Sequence, residues 1–149
     1  MKTIILPTDL ATVAHARDRF TALKPRKNRF APYQVGETVI VLEPFYQQGQ
    51  FINGVFKGFQ EFTILRPVAV QAHKSSRFGW HWRPASEMPR SLTRTIMRVI
   101  AITSYRFSDL LDVHATAAGF SDLEALQRWR NKAHPGTHDF WEITFFRVT

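Results

Sequence analysis

The segment at residues 94–105 constrains the fold most. It reads Arg-Thr-Ile-Met-Arg-Val-Ile-Ala-Ile-Thr-Ser-Tyr, without glycine or proline, and β-branched residues in such a run favour an extended strand. It is the longest strand candidate in the chain, and the segments around it are short. Pro7, Pro25, Pro32, Pro44, Pro67, Pro84, Pro89 and Pro135 each remove a backbone donor and interrupt regular structure. A single long strand among short elements predicts a mixed, mostly antiparallel domain.

The remaining elements follow from their stop signals. Asp9 predicts the start of a helix through about Leu23, followed by a basic loop, Lys24-Pro-Arg-Lys-Asn-Arg29. Residues 38–43 read as a strand stopped by Pro44, and Gln47-Gln-Gly-Gln50 as the turn before a second stretch at 51–59. Asn53-Gly54 is a tight-turn signal within that stretch. Residues 62–65 and 68–70 form a broken strand around Pro67, and residues 71–93 read as irregular because Pro84 and Pro89 bar a long helix. A short helix at 109–118 is stopped by Gly119. Ser121-x-x-Glu124 is a capping box for a second helix to Lys132, with Leu123, Leu126 and Trp129 facing inward. Residues 140–148 close the chain as a strand. The expectation is one α+β domain over residues 1–149: a small, mostly antiparallel β-barrel of five or six strands flanked by two or three helices.

Charge narrows the function classes. The formal net charge is +8, with no cysteine, so disulfide frameworks, thiolate zinc sites and thiol nucleophiles are excluded. Residues 1–100 hold 15 Lys/Arg against 6 Asp/Glu, whereas residues 101–149 hold 5 against 6. Arginines outnumber lysines 14 to 6, which favours paired phosphate contacts and stacking. The apolar runs are too short to span a membrane, and no signal-peptide core forms before Pro7 and Asp9, so a cytoplasmic protein is expected. Walker and Gly-x-Ser-x-Gly motifs are absent, and Pro135-Gly136 between His134 and His138 precludes a helical zinc pair. No metal or cofactor is expected.

Residues 77–90, Arg-Phe-Gly-Trp-His-Trp-Arg-Pro-Ala-Ser-Glu-Met-Pro-Arg, interleave aromatic rings with guanidinium groups. Single strands are gripped that way, by base stacking on aromatics and phosphate contacts from arginine. The candidate nucleic-acid-binding residues are Arg17, Arg19, Arg26, Lys27, Trp80, Trp82, Arg83, Arg90 and Arg94. A structural role for Trp82 and Arg83 within the fold is the alternative for this segment.

Trp82-Arg83-Pro84-x-Ser86-x-Met88-Pro89-Arg90, followed by Arg94 and Ile96, resembles the Trp-Arg-Pro…Met-Pro-Arg element of phage and prophage ASCH (activating signal cointegrator homology) domains, which are PUA-like. Tyr33-x-Val35-Gly36-Glu37 with its strand to Glu43, Ala117-Ala-Gly-Phe120, and residues 140–145 are similar to other parts of that family. The resemblance implies a PUA-like barrel and RNA or another single strand as partner. Some members deacetylate N-acetylated cytidine with a Lys, a Thr and a Glu. Of these only Thr21 is matched here, and Ala118 stands at the Glu position. The main expectation is therefore a non-catalytic RNA-binding module. The alternative is a nucleoside or RNA hydrolase using Thr21, Lys24, Glu43 and His114. A third reading, from family habit, is a phage counter-defence protein that binds a host complex through a patch of Phe45, Tyr46, Phe51, Phe56 and Phe59.

Overall fold

The computed structural model describes all 149 residues, Met1–Thr149. In chain order the elements are β1 (Lys2–Ile5), α1 (Thr8–Ala16), β2 (Arg19–Pro25), β3 (Thr38–Leu42), β4 (Phe45–Ile52), β5 (Val55–Thr63), β6 (Gly79–Arg83), β7 (Ile96–Arg106), α2 (Asp112–Ala117), α3 (Leu123–Ala133) and β8 (Asp139–Arg147). Three single 3-10 turns lie at Ala85–Glu87, Arg90–Leu92 and Phe107–Asp109. The α+β class is as expected. The barrel is corrected: eight strands divide between a five-stranded sheet, β1-β3-β7-β8-β2, and a three-stranded sheet, β5-β4-β6, and neither closes on itself.

Two compact units are present. The first comprises Met1–Lys2, Thr12–Ile40 and Thr95–Thr149; the second comprises Thr3–Ala11 and Val41–Arg94. In the first, β7 runs antiparallel between β3 and β8, and β2 completes the sheet along β8. One sheet face buries Phe20, Ala22, Val99, Ile143 and Phe145. The opposite face carries Leu23 and Phe140, which pack with Leu110, Ala115, Ala118 and Leu126 beneath α2 and α3. Each fully buried leucine, isoleucine, valine or phenylalanine among them contributes about 1.5–3 kcal/mol. Asp122, not Ser121, caps α3, its carboxylate accepting the Ala125 N–H at 2.8 Å.

Several segments depart from the sequence reading. The first helix ends at Ala16, and residues 19–25 are strand, with both faces buried: Phe20 and Ala22 on one, Thr21 and Leu23 on the other. A short apolar run buried on both sides carries no periodicity that separates strand from helix. Gln47–Gln50 lie within β4 rather than a turn, and the hairpin turn is Asn53-Gly54, both with positive φ (51° and 76°). That pair supplies the left-handed residues a two-residue hairpin requires. Residues 62–70 give only an isolated bridge at Val70 beyond the end of β5. The stretch read as irregular contains β6. No helix is long and apolar enough to cross a membrane.

Candidate nucleic-acid interface

In the second unit, β4 pairs with β5 on one side and β6 on the other. Residues paired across antiparallel strands share a face. Tyr46 lies opposite Trp82, Gln48 opposite Trp80, and Gln50 opposite Lys57. One face therefore presents Tyr46, Trp80 and Trp82 together with Gln48, Gln50 and Lys57. Trp82 is 48% exposed, and Tyr46 and Trp80 are half-buried. Trp80 is held in place: its Nε1–H reaches the Gln48 side-chain oxygen at 3.0 Å when that amide is turned to satisfy both groups.

The other face of the same sheet is filled. Phe45 and His81 are buried, and the His81 ring sits edge-on to Phe51 and Phe56 at 5.6 and 5.5 Å. His81 Nε2–H donates to the Arg77 carbonyl at 3.0 Å. Arg83 alternates onto this face, its guanidinium 4.1 Å from the Phe56 ring centroid and paired with Glu87. Arg83 and Trp82 thus point to opposite sides of β6. The phenylalanine patch sought for a protein partner is not assembled, since Phe45 is buried and Phe51 and Phe56 are half-buried. Phe59 is exposed and packs with Phe78, ring centroids 5.1 Å apart.

Met88 of the Trp-Arg-Pro…Met-Pro-Arg segment and Arg94 beyond it form a clamp on Glu43. Pro84 and Pro89 each open a 3-10 turn, consistent with proline's fixed φ and missing N–H. Between them Met88 is buried, and its thioether accepts the Glu43 backbone N–H at 3.3 Å. Arg94 then donates Nε–H to Glu43 Oε2 at 3.0 Å and Nη2–H to Oε1 at 2.9 Å. The carboxylate is wholly buried and both its oxygens are engaged. Glu43 is accordingly tied into the fold, as is Arg94. Arg90 is exposed and forms no ion pair.

The other candidates lie in the first unit. Arg17 donates to the Thr116 carbonyl at 2.8 Å, and Arg19 and Lys27 are exposed. Arg26 lies 4.7 Å from the Trp141 ring centroid and donates to Ser104 Oγ at 2.8 Å. Thr21 and Lys24 sit three residues apart on β2 and so face opposite sides of the sheet. Thr21 is buried on the side of α2, whereas Lys24 is opposite Trp141. Burial lowers the Lys24 pKa. His134 is also held below its ordinary value, by burial first and then by Lys27 and Lys24. His114 receives the Leu111 N–H on Nδ1 at 2.9 Å, and its Nε2 is 3.9 Å from a Glu142 oxygen.

Of the four candidate catalytic residues, Thr21 and Lys24 face opposite sides of the sheet, Glu43 is clamped by Arg94, and His114 Nε2 lies 3.9 Å from Glu142. No group of three or more His, Cys, Asp or Glu side chains converges in a way that could hold a metal ion. Gln48, Lys57 and Trp141 were missed by sequence reasoning, and Tyr46 was named only for a protein-binding patch. Their signal was strand alternation, which could be used only with the register in hand. Comparison of the chain with protein-family models, with curated proteins and with solved structures finds no match.

Proposed function

We propose that this protein is a non-catalytic binding module for single-stranded nucleic acid, with RNA as the first ligand to test. The observation that carries the reading is the shared placement of Tyr46, Trp80 and Trp82 on one face of the three-stranded sheet. Ring faces on adjacent strands form a platform on which successive bases stack, each stack contributing about 1–3 kcal/mol. Lys57 lies on that face without an ion-pair partner, and Lys74, Arg77 and Arg90 are further exposed cations of the same unit. The resemblance to ASCH domains leans the same way. A hydrolase reading draws no support from the arrangement, because Thr21 and Lys24 face opposite sides of their sheet and both Glu43 oxygens are held by Arg94.

The test is anisotropy titration of labelled single-stranded RNA and DNA against the native protein and Trp82→Ala. With about three or four phosphates neutralised, the slope of log K against log salt is about −2 to −3. Trp82→Ala is expected to weaken binding by about 5- to 100-fold at constant salt. Equal affinity for native and variant protein, or binding indifferent to salt, would overturn the proposal.

A further inference from the structure

Three strands of the first unit meet at one end of its sheet: β2 finishes at Pro25, β7 finishes at Arg106, and β8 begins at Asp139. The register places Lys24, Trp141 and Ser104 in one row of side chains. Arg106 is opposite Asp139, and the Arg26 N–H donates to the Asp139 carbonyl at 2.9 Å, which sets Arg26, Asp139 and Arg106 in the next row of that face. Farther along the same face the rows are Ala22, Ile143 and Ile102, then Phe20, Phe145 and Val99. A surface that is apolar core over most of its length therefore ends in three cations.

The cations are prepared rather than loose. Arg26 is laid on Trp141 and bonded to Ser104, so its planar fork is oriented in advance. Lys24 is half-buried and makes no ion pair, and burial lowers its pKa. Removing an ammonium group from water without an anion beside it is unfavourable. One carboxylate faces the group, that of Asp139, and it forms no ion pair with Arg26 or Arg106. An open cleft of about 400 Å³ adjoins the outer row at Arg106 and Asp139, and Phe107, Ser108, Arg130 and His138 complete its lining.

We infer that this strand end is a phosphomonoester site, in which Lys24, Arg26 and Arg106 hold the phosphate of a nucleotide or of a strand terminus. Three cations from two strands suit a terminal phosphate, which carries nearly two charges and three free oxygens. A phosphodiester within a strand offers one charge. Asp139 is the acceptor of the set and suits a ribose hydroxyl. The site is independent of the Trp80 and Trp82 face.

The experiment is NMR titration of the full chain with inorganic phosphate, AMP and adenosine, paired with anisotropy of a short RNA bearing either a 5′-phosphate or a 5′-hydroxyl. Phosphate and AMP, but not adenosine, are expected to shift the amides of residues 24–27, 104–106 and 139–141 saturably. Arg106→Ala and Arg26→Gln are expected to remove that response, with the dispersed spectrum confirming that each variant is folded. An end-phosphate preference of about tenfold identifies a strand terminus as the source. Saturation by AMP without an end preference identifies a free nucleotide. Trp82→Ala should leave the phosphate response intact, so that loss of strand binding and loss of this site are separable. Equal shifts from adenosine and AMP, no saturable shift, or a response unchanged in both variants would overturn the inference.

Discussion

Replacing Arg94 with methionine isolates what the Glu43 clamp contributes. The substitution keeps the aliphatic stem and removes the guanidinium that reaches both carboxylate oxygens, at 3.0 and 2.9 Å. Glu43 is 0% exposed, whereas the Arg94 side chain retains 24%. Stranding a fully buried charge costs about 3–5 kcal/mol. Access of water along the Arg94 side places this site at the lower end, about 3 kcal/mol. For a chain of this size that lowers Tm by about 6–12 °C. Urea denaturation of Arg94→Met, Glu43→Gln and the double variant measures the coupling. Removing both charges leaves no ion without a partner, so the double variant should lie within about 1 kcal/mol of the native protein. A single variant within about 0.5 kcal/mol of native, or a double variant whose loss equals the sum of the singles, refutes the clamp. Strand affinity of folded Arg94→Met should be unchanged; an affinity loss at unchanged stability would instead make Arg94 a phosphate ligand.

Other outcomes follow from the same geometry. Arg83→Ala should lower stability by about 1–2 kcal/mol through loss of the Glu87 pair and the Phe56 contact, yet leave RNA affinity within about twofold, because Arg83 faces away from Trp82; parallel urea and anisotropy measurements decide this. In Gly49→Ala the new methyl would meet the Lys57 carbonyl at 2.5 Å and the Gly58 Cα at 2.8 Å. Both contacts are backbone, so the β4–β5 hairpin must shift, at a cost of at least about 1–3 kcal/mol read from a urea melt. His134 binds its proton less readily in the folded chain than at the ordinary value of 6.5. The unfolded chain takes up more protons in that window, so the His134 contribution is present above pH 6.5 and is lost as pH falls through the folded value. Urea midpoints between pH 5 and 8 should show this slope, and His134→Gln should flatten it.

Elements with a clear boundary signal were legible in the sequence. The strand at 96–106, the helix ended by Gly119, the Asn53-Gly54 turn and the closing strand all carry such a signal. The failures share a cause. β2 is buried on both faces and lacks alternation; β1 is four residues long and too short to show any. β6 hides between prolines, yet pairing with β4 along Phe45–Gly49 supplies the partner that a five-residue strand needs. The candidate site was half legible. Trp80 and Trp82 could be chosen from composition, but their partner Tyr46 and the reversal of Arg83 depend on which residues alternate to which face.

That dependence changes how the +8 charge should be read. Lys2, Arg83, Arg94, Arg128 and Arg147 are paired with Glu37, Glu87, Glu43, Glu124 and Asp18. In the segment that looked most like a ligand grip Arg83 is paired with Glu87, and Arg94 just beyond it is paired with Glu43. A cation already matched to a carboxylate gains little by meeting a phosphate, since it must first release its partner. Cations without a carboxylate partner include Lys57 beside the aromatic face, and Lys24, Arg26 and Arg106 at the strand ends. For a basic domain, the excess left after internal pairing, and the faces on which register places it, is a better guide to an anionic ligand than the density of arginines along the chain.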